Sequence, residues 1–197
     1  MKKTILVIDA CVRREESRTK KLLEAALDTV RKEHPDWNLE ILNLMDLDLM
    51  YWKTETLKER DELLAKKEYD APVFKYGNQF REANGVIVAA PFWDLSIPAV
   101  LKVYIENISA EGITFGCNEN GLYGLCKAKW LLFLTTRGGI WADSDMEQGS
   151  TYMEALCKFF GIDEYACVYA DGIDVQELDG EEILREAIEE TKGICTR

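Results

Sequence analysis

The stretch GVIVAAPFWDLSIPA, residues 85–99, decides how this chain is expected to fold. Its first six residues are apolar, and such a run is typical of a strand buried inside a parallel sheet. Pro91 ends the strand, and residues 96–107 predict a helix that tolerates Pro98 in its first turn. A buried strand followed by a helix indicates a βα unit, the building block of α/β proteins.

The same unit recurs along the chain. Further strand-like runs lie at residues 4–9, 39–44, 129–135 and 165–170, and helical patterns at residues 17–31, 51–80 (interrupted at 70–72), 150–160 and 181–192. This alternation predicts an α/β fold, a three-layer doubly wound parallel sheet of five strands in the order 2-1-3-4-5, forming one domain over residues 1–197. Residues 112–127 carry four glycines and predict a long loop or a small hairpin.

Composition excludes several classes of protein. The chain has 197 residues, of which 47% are apolar, and this argues against disorder. The longest apolar run, residues 85–93, is far below the roughly 18–20 residues that span a bilayer, and no signal-peptide cleavage site precedes the first strand. With 36 Asp+Glu against 24 Lys+Arg, the net charge of −12 disfavours nucleic-acid binding. We expect a soluble, cytoplasmic protein with no membrane or nucleic-acid partner.

Cysteine and histidine usage narrows the chemistry further. Six cysteines are scattered without the two-residue gap of a redox or zinc motif, and free cysteines suit a reducing compartment. The single histidine, His34, precedes Pro35 where a helix is expected to end. Metal sites and mechanisms that need a histidine are therefore not expected.

Three loops should meet at the carboxyl edge of the sheet, where ligands of such folds bind: residues 10–19, 91–96 and 135–141. The first contains Ser17-Arg18-Thr19 at a predicted helix start, where free amides, two hydroxyls and a cation suit a phosphate. Ordinary helix capping by Ser17 is the alternative interpretation. The chain has neither a glycine-rich dinucleotide fingerprint nor a P-loop, which disfavours a Rossmann NAD domain or an ATPase.

The other two loops have compositions that suit a flat ring. Phe92 and Trp93 follow a buried strand and could line a planar ring system, although filling the core would also explain them. Gly138 and Gly139 follow another strand and would let the backbone approach a ligand, although a simple turn would also require glycine.

At these loops the chain resembles the flavodoxin-like NAD(P)H:quinone reductase and FMN-dependent NADH-azoreductase family. The resemblance covers roughly residues 4–192 and is carried by residues 17–19, 89–102 and 136–139, with weaker matches at 112–115 and 121–122. It implies a homodimer in which FMN lies at the strand ends. Ser17, Arg18 and Thr19 would hold its phosphate. The isoalloxazine would be flanked on one side by Pro91, Phe92, Trp93, Asp94 and Leu95 and closed over at its other edge by Thr136, Arg137, Gly138 and Gly139.

The chain also departs from that family. Ala10 stands where relatives often have serine, Asp94 replaces the asparagine common in azoreductases, and residues 13–16 are unusually charged. We expect the Asp94 side chain to point away from the flavin, with only backbone groups touching the ring. An arginine that selects NADPH could be Arg13, Arg14 or Arg137, or none of them.

The resemblance implies an oxidoreductase with FMN as cofactor and NADH or NADPH as co-substrate. Hydride would pass to FMN N5 and then, by a ping-pong sequence on the same face, to small aromatic acceptors: quinones, azo compounds or nitroaromatics. No side-chain acid or metal is needed, because the chemistry belongs to the cofactor. The main alternative is a flavodoxin-type electron carrier without a pyridine-nucleotide step, which the acidic charge favours. A flavin-bearing redox sensor, or a chain that has lost its cofactor, is a third possibility.

Overall fold

A computed structural model describes residues 2–196 and shows the predicted parallel sheet. Its order is β2-β1-β3-β6-β7, which corresponds to the predicted 2-1-3-4-5 once two hairpin strands are numbered in chain order. The sheet strands are β1 (Thr4–Asp9), β2 (Asn38–Asn43), β3 (Gly85–Ala89), β6 (Trp130–Thr136) and β7 (Glu164–Ala170). All neighbours pair in parallel, so every strand ends at the same edge of the sheet.

The sheet is covered on both faces because its central strands are apolar throughout. In β1, Leu6 and Ile8 pack into one core and Ile5 and Val7 into the other, as the two-residue period of a strand requires. The first core is closed by α3 (Lys75–Glu82), α4 (Ala99–Ile108) and α5 (Gly149–Phe160), and the second by α1 (Arg18–Glu33) and α6 (Gly180–Cys195).

Two elements lie outside this sandwich. Helix α2 (Thr54–Ala65) has no fully buried residue among its twelve. Strands β4 (Phe115–Asn118) and β5 (Gly121–Gly124) pair as an antiparallel hairpin, so the hairpin is the correct alternative for residues 112–127. Within residues 2–196, no helix combines the length and the apolar character that crossing a membrane requires.

Some predicted boundaries were wrong. The helix expected to begin at Ser96 begins at Ala99, because residues 93–96 form a tight turn before it. Strand β2 ends at Asn43, and Leu44 opens a short 3-10 helix. The segment predicted as one interrupted helix over residues 51–80 is α2, a 3-10 turn at Pro72–Phe74, and α3, which extends to Glu82.

Candidate functional site

The carboxyl edge of the sheet brings the three predicted loops together. Phe92 N–H donates to the Thr136 carbonyl at 3.1 Å, which joins the second loop to the third. The Thr19 and Thr136 hydroxyls lie 2.7 Å apart and are buried, which joins the first loop to the third. The three predicted loops therefore meet at one rim.

Helix α1 begins at this rim with the amides of Arg18 and Thr19 unbonded within residues 2–196, while the Lys20 amide donates to the Ser17 carbonyl. Ser17 occupies the capping position and is buried, but its side chain makes no capping hydrogen bond, so the capping interpretation does not account for it. No acidic residue lies in the first turn of α1. The first amides of a helix have no partner inside the helix and carry partial positive charge. This helix start is therefore suited to an anion.

A buried ion pair lies beneath that helix start. Asp9, the last residue of β1, accepts from Lys20 Nζ at 2.5 Å and from the Cys11 amide at 3.0 Å. Although desolvation opposes it, the hydrogen bond and charge of Asp9 raise the pKa of Lys20, so the cation is retained. Burial raises the pKa of the Cys11 thiol, which favours the neutral thiol over the reactive thiolate. Ala10, where serine is common in the resembling family, is fully buried and offers the rim no side-chain group.

Arg18 points across the rim to a residue that the sequence analysis missed. Its guanidinium makes a bidentate ion pair with Asp174, at 2.6 and 3.0 Å. This pair raises the pKa of Arg18 and lowers that of Asp174, in each case chiefly through the hydrogen bond between them. Asp174 follows β7. The sequence analysis could have found it, because the loop after the fifth strand also begins at this edge of the sheet.

The loop after β3 contains a strained turn. Asp94 and Leu95 both have positive φ, +48° and +65°, and reciprocal hydrogen bonds between Trp93 and Ser96 close the turn around them. Left-handed backbone costs a leucine roughly 1–2 kcal/mol, and such strain concentrates at functional sites. Among residues 2–196 the amides of Asp94 and Leu95 donate to no other group, so both remain available to a ligand.

The two aromatic residues beside this turn differ in burial. Phe92 is partly buried and packs on Trp141, with ring centroids 5.6 Å apart, so core filling explains part of its role. Trp93 is 38% exposed, and filling the core does not explain it. Pro91 is partly buried and the Asp94 side chain is exposed.

The paired glycines lie close to two of the protein's own side chains. A Cβ at Gly138 would lie 2.6 Å from an Asp174 carboxylate oxygen, and one at Gly139 would lie 2.8 Å from Trp141 Nε1. Neither glycine has positive φ, and the chain bends at both residues, so the simple-turn interpretation stays open.

Arg137 corrects an expectation. Its side chain is only 2% exposed and lies between Glu147 and Asp171, at 3.4 and 3.5 Å. Its amide donates to the Ala170 carbonyl, and its own carbonyl accepts from the Ile173 amide. The Arg137 side chain is therefore enclosed by the protein, whereas an arginine that reads the phosphate of NADPH should be accessible at the rim.

The fold is that of an α/β protein with a five-stranded parallel sheet, and three loops meet at the carboxyl ends of its strands. A family model described as having a flavodoxin-like fold matches residues 3–193. The chain belongs to this flavodoxin-like family, as the resemblance predicted.

Sequence relatives agree with that membership. The chain is 34% identical over 192 residues to an FMN-dependent NADH:quinone oxidoreductase of Clostridium beijerinckii, covering 95% of this chain and 96% of the relative. It is 35% identical over 179 residues to FMN-dependent NADH:quinone oxidoreductase 2 of Clostridium acetobutylicum, covering 89% of each.

Solved structures point to the same class. An azoreductase from Bacillus anthracis superposes with a TM-score of 0.89 at 28% identity, covering 100% of this chain and 99% of that one. An FMN-dependent NADH-azoreductase from Bacillus anthracis in complex with FMN gives a TM-score of 0.87 at 25% identity, with the same coverage. The names of these relatives confirm the expected oxidoreductase class and its FMN and NADH.

Proposed function

We propose that this chain is an FMN-dependent oxidoreductase that transfers electrons from NADH to quinones, azo compounds or nitroaromatics. The observation that carries the proposal is the rim itself. The open start of α1 lies beside a strained turn with two free amides and an exposed tryptophan. The names of the relatives identify a cofactor that has both a phosphate and a flat ring.

The phosphate of FMN fits the start of α1. The Ser17 hydroxyl is the group without a capping partner, and the amides of Arg18 and Thr19 lie in the open first turn. The Thr19 hydroxyl is bonded to Thr136, so Thr19 contributes its amide rather than its side chain. The Arg18 guanidinium lies at the same rim, where Asp174 fixes its position and already balances its charge, so the phosphate is assigned chiefly to the hydroxyl and the amides.

The ring of FMN fits the turn at residues 93–96. The free amides of Asp94 and Leu95 would meet its polar edge, while Pro91, Phe92 and Trp93 flank it. Gly138 and Gly139 add no side chain on the opposite side of the ring. A Cβ at either position would lie within 3 Å of Asp174 or Trp141. The Asp94 carboxylate is exposed, so it can stay clear of a ring that its amide contacts.

The protein's part in the reaction is binding and orientation. When bound, FMN supplies the redox chemistry, taking hydride from NADH and returning electrons to the acceptor. The aromatic side chains exclude water from the ring and orient the nicotinamide or acceptor against it. No side chain at the rim has to carry a proton for this assignment. We also place the protein in the cytoplasm, since its six free cysteines suit a reducing compartment.

A direct experiment tests the proposal against the electron-carrier alternative. The purified protein is loaded with FMN, and NADH alone is added under anaerobic conditions while the flavin absorbance is followed. Bleaching within seconds supports the reductase. A flavin that stays oxidised with NADH and NADPH, but is reduced by a partner flavoprotein, would identify a carrier.

Steady-state kinetics tests the proposed sequence of the reaction. If donor and acceptor use one face in turn, the donor must leave before the acceptor binds. We therefore expect parallel double-reciprocal lines when NADH is varied at several quinone concentrations. Intersecting lines would show that both substrates bind together.

We further propose a homodimer with the rim at its interface. Large apolar side chains are exposed around the rim, and a lone chain would leave them in water. They are Trp93 (38%), Leu95 (40%), Tyr169 (43%), Met146 (52%) and Ile140 (67%). Light scattering at micromolar protein should give the mass of two chains, and a stable monomer with full turnover would refute this arrangement.

A further inference from the structure

Arg137 is surrounded by groups from every segment that builds the ring side of the rim. Its guanidinium carbon lies 4.5 Å from the centre of the Tyr169 ring and 5.8 Å from that of Phe92. Glu147 and Asp171 supply the carboxylates on either side of it, at ion-pair distances of 3.4 and 3.5 Å. The contact with Asp171 is an ion pair without a hydrogen bond, because Arg137 Nη1 and Asp171 Oδ1 are buried and unbonded within residues 2–196. One cation and two carboxylates out of water are costly unless they hold one another in place.

Each of the two carboxylates also holds backbone. Asp171 accepts from the amides of Trp141 and Ala142, at 2.8 and 3.0 Å. Glu147 accepts from the amides of Gly149 and Ser150, at 2.9 and 3.0 Å, in the first turn of α5. Arg137 is therefore the cation that links two backbone-holding carboxylates.

The segments held in this way support the ring side of the rim. Gln148 N–H, at the start of α5, donates to the Leu95 carbonyl at 2.9 Å and so braces the strained turn. Trp141 packs on Phe92 and passes over Gly139. A shift of either segment would move the free amides of Asp94 and Leu95 or the aromatic face beside them.

We infer that Arg137, Glu147 and Asp171 form a positioning network. This network sets the aromatic loop (residues 91–96) and the glycine loop (residues 135–141) relative to each other. This inference rests on the proposed function, in which the two loops flank the flavin ring. Arg137 touches neither cofactor nor substrate in this assignment. It acts through the two carboxylates, and the geometry of the rim depends on all three groups.

The test compares Arg137→Met with Arg60→Met, a matched loss of a mostly buried arginine far from the rim. The Arg60 side chain is 13% exposed, and it donates to the Ser109 carbonyl. Both variants should have a lower Tm. In the protein without cofactor, only Arg137→Met should speed hydrogen exchange at the amides of residues 141, 142, 149 and 150, by tenfold or more. The same variant should weaken FMN binding by a similar factor and change the visible circular dichroism of the bound flavin.

Two outcomes would overturn the inference. Unchanged exchange at the four amides, relative to Arg60→Met, would show that the carboxylates hold the loops without Arg137. Weakened FMN binding with unchanged exchange would make Arg137 a direct ligand.

Single-carboxylate variants keep the test decisive if Arg137→Met fails to fold. Glu147→Gln should speed exchange only at residues 149 and 150, and Asp171→Asn only at residues 141 and 142. Exchange that spreads evenly over the domain in both would refute the network. If the unmodified protein binds no FMN, the proposed function fails, while the exchange pattern still decides the role of Arg137.

Discussion

The starts of α1 and α6 lie at the same edge of the sheet and on the same face, yet only α6 is capped by a side chain. Asp179 caps α6 by accepting from the amides of Glu181 and Glu182, and those two residues add negative charge to the first turn. Ser17 stands at the corresponding position of α1 and makes no such bond. Helix α6 therefore has its own side-chain hydrogen-bond acceptor and its own negative charge at its first turn, whereas α1 has neither.

This difference identifies which helix start can take an external anion. A negative group at a helix start is stabilised by about 0.3–1 kcal/mol at an exposed position, and by more where it also accepts hydrogen bonds. At α6 the protein's own carboxylates already occupy that role. At α1 the role is open to a phosphate, which agrees with the cofactor named for the relatives.

Ser17→Asp should remove the difference between the two helices, because α1 would then have an Asp cap like that of α6. We expect FMN binding to be lost, because the new carboxylate would face the phosphate at contact range. Two like charges about 4 Å apart repel by roughly 4 kcal/mol at an effective dielectric near 20, equivalent to about three decades in affinity. Titration of FMN fluorescence measures the dissociation constant.

The fold should survive this change, since Asp is a good capping residue and the amides of α1 are free to bond it. Ser17→Ala is the matched control: it removes the hydroxyl without adding charge, and should weaken binding only about tenfold. An Asp variant that binds FMN as tightly as the parent would place the phosphate elsewhere.

Asp179→Ala should show the opposite pattern. Losing this cap should lower the free energy of unfolding by about 1 kcal/mol, a fall in Tm of roughly 2–4 °C for a chain of this size. FMN affinity should not change, because α6 binds no anion. Thermal unfolding and FMN titration measure the two effects, and weaker FMN binding would show that both helix starts contribute to the site.

The smallest effect concerns the pair that ties the two helix starts together. Arg18 in α1 bonds Asp174 in the segment before α6, and this bond lowers the pKa of the Asp174 carboxyl. A carboxyl with a lowered folded-state pKa adds stability above its ordinary pKa of about 3.9, and that contribution disappears as the pH falls through the lowered value.

Asp174→Asn should therefore lower Tm slightly near neutral pH, and the two proteins should converge in strong acid. Exposed ion pairs contribute only about 0–1 kcal/mol, so differential scanning calorimetry over a pH series is the suitable measurement. A difference that persists below about pH 2 would assign the effect to something other than this ionisation.

Prediction succeeded where the information is local. The apolar runs predicted all five sheet strands, and the connection rules of α/β folds predicted their order. The largest boundary errors lie at residues 66–74 and at residues 93–96. At residues 93–96 the sequence continued a helical pattern back to Ser96, but the chain first turns through Asp94 and Leu95 in left-handed conformations. The sequence does not indicate this conformation at Leu95, because leucine is disfavoured in it.

The candidate site was predictable as a location but only partly as a set of roles. The carboxyl ends of parallel strands must meet at one edge, so the three loops could be expected together. The sequence could not show whether the Ser17 hydroxyl caps its own helix, because capping and ligand binding use the same residue type at the same position.

The sequence by itself determined the family and the three loops, because apolar periodicity and short motifs are properties of neighbouring residues. The sheet order followed from the general connection rules of α/β folds. The tertiary structure alone decided that Arg137 is buried between Glu147 and Asp171, and that Arg18 pairs with a residue 156 positions away. Burial and ion pairing depend on which distant segments meet in space. Arg18 and Arg137 therefore look alike as candidates in the sequence, yet only the Arg18 side chain lies exposed at the rim.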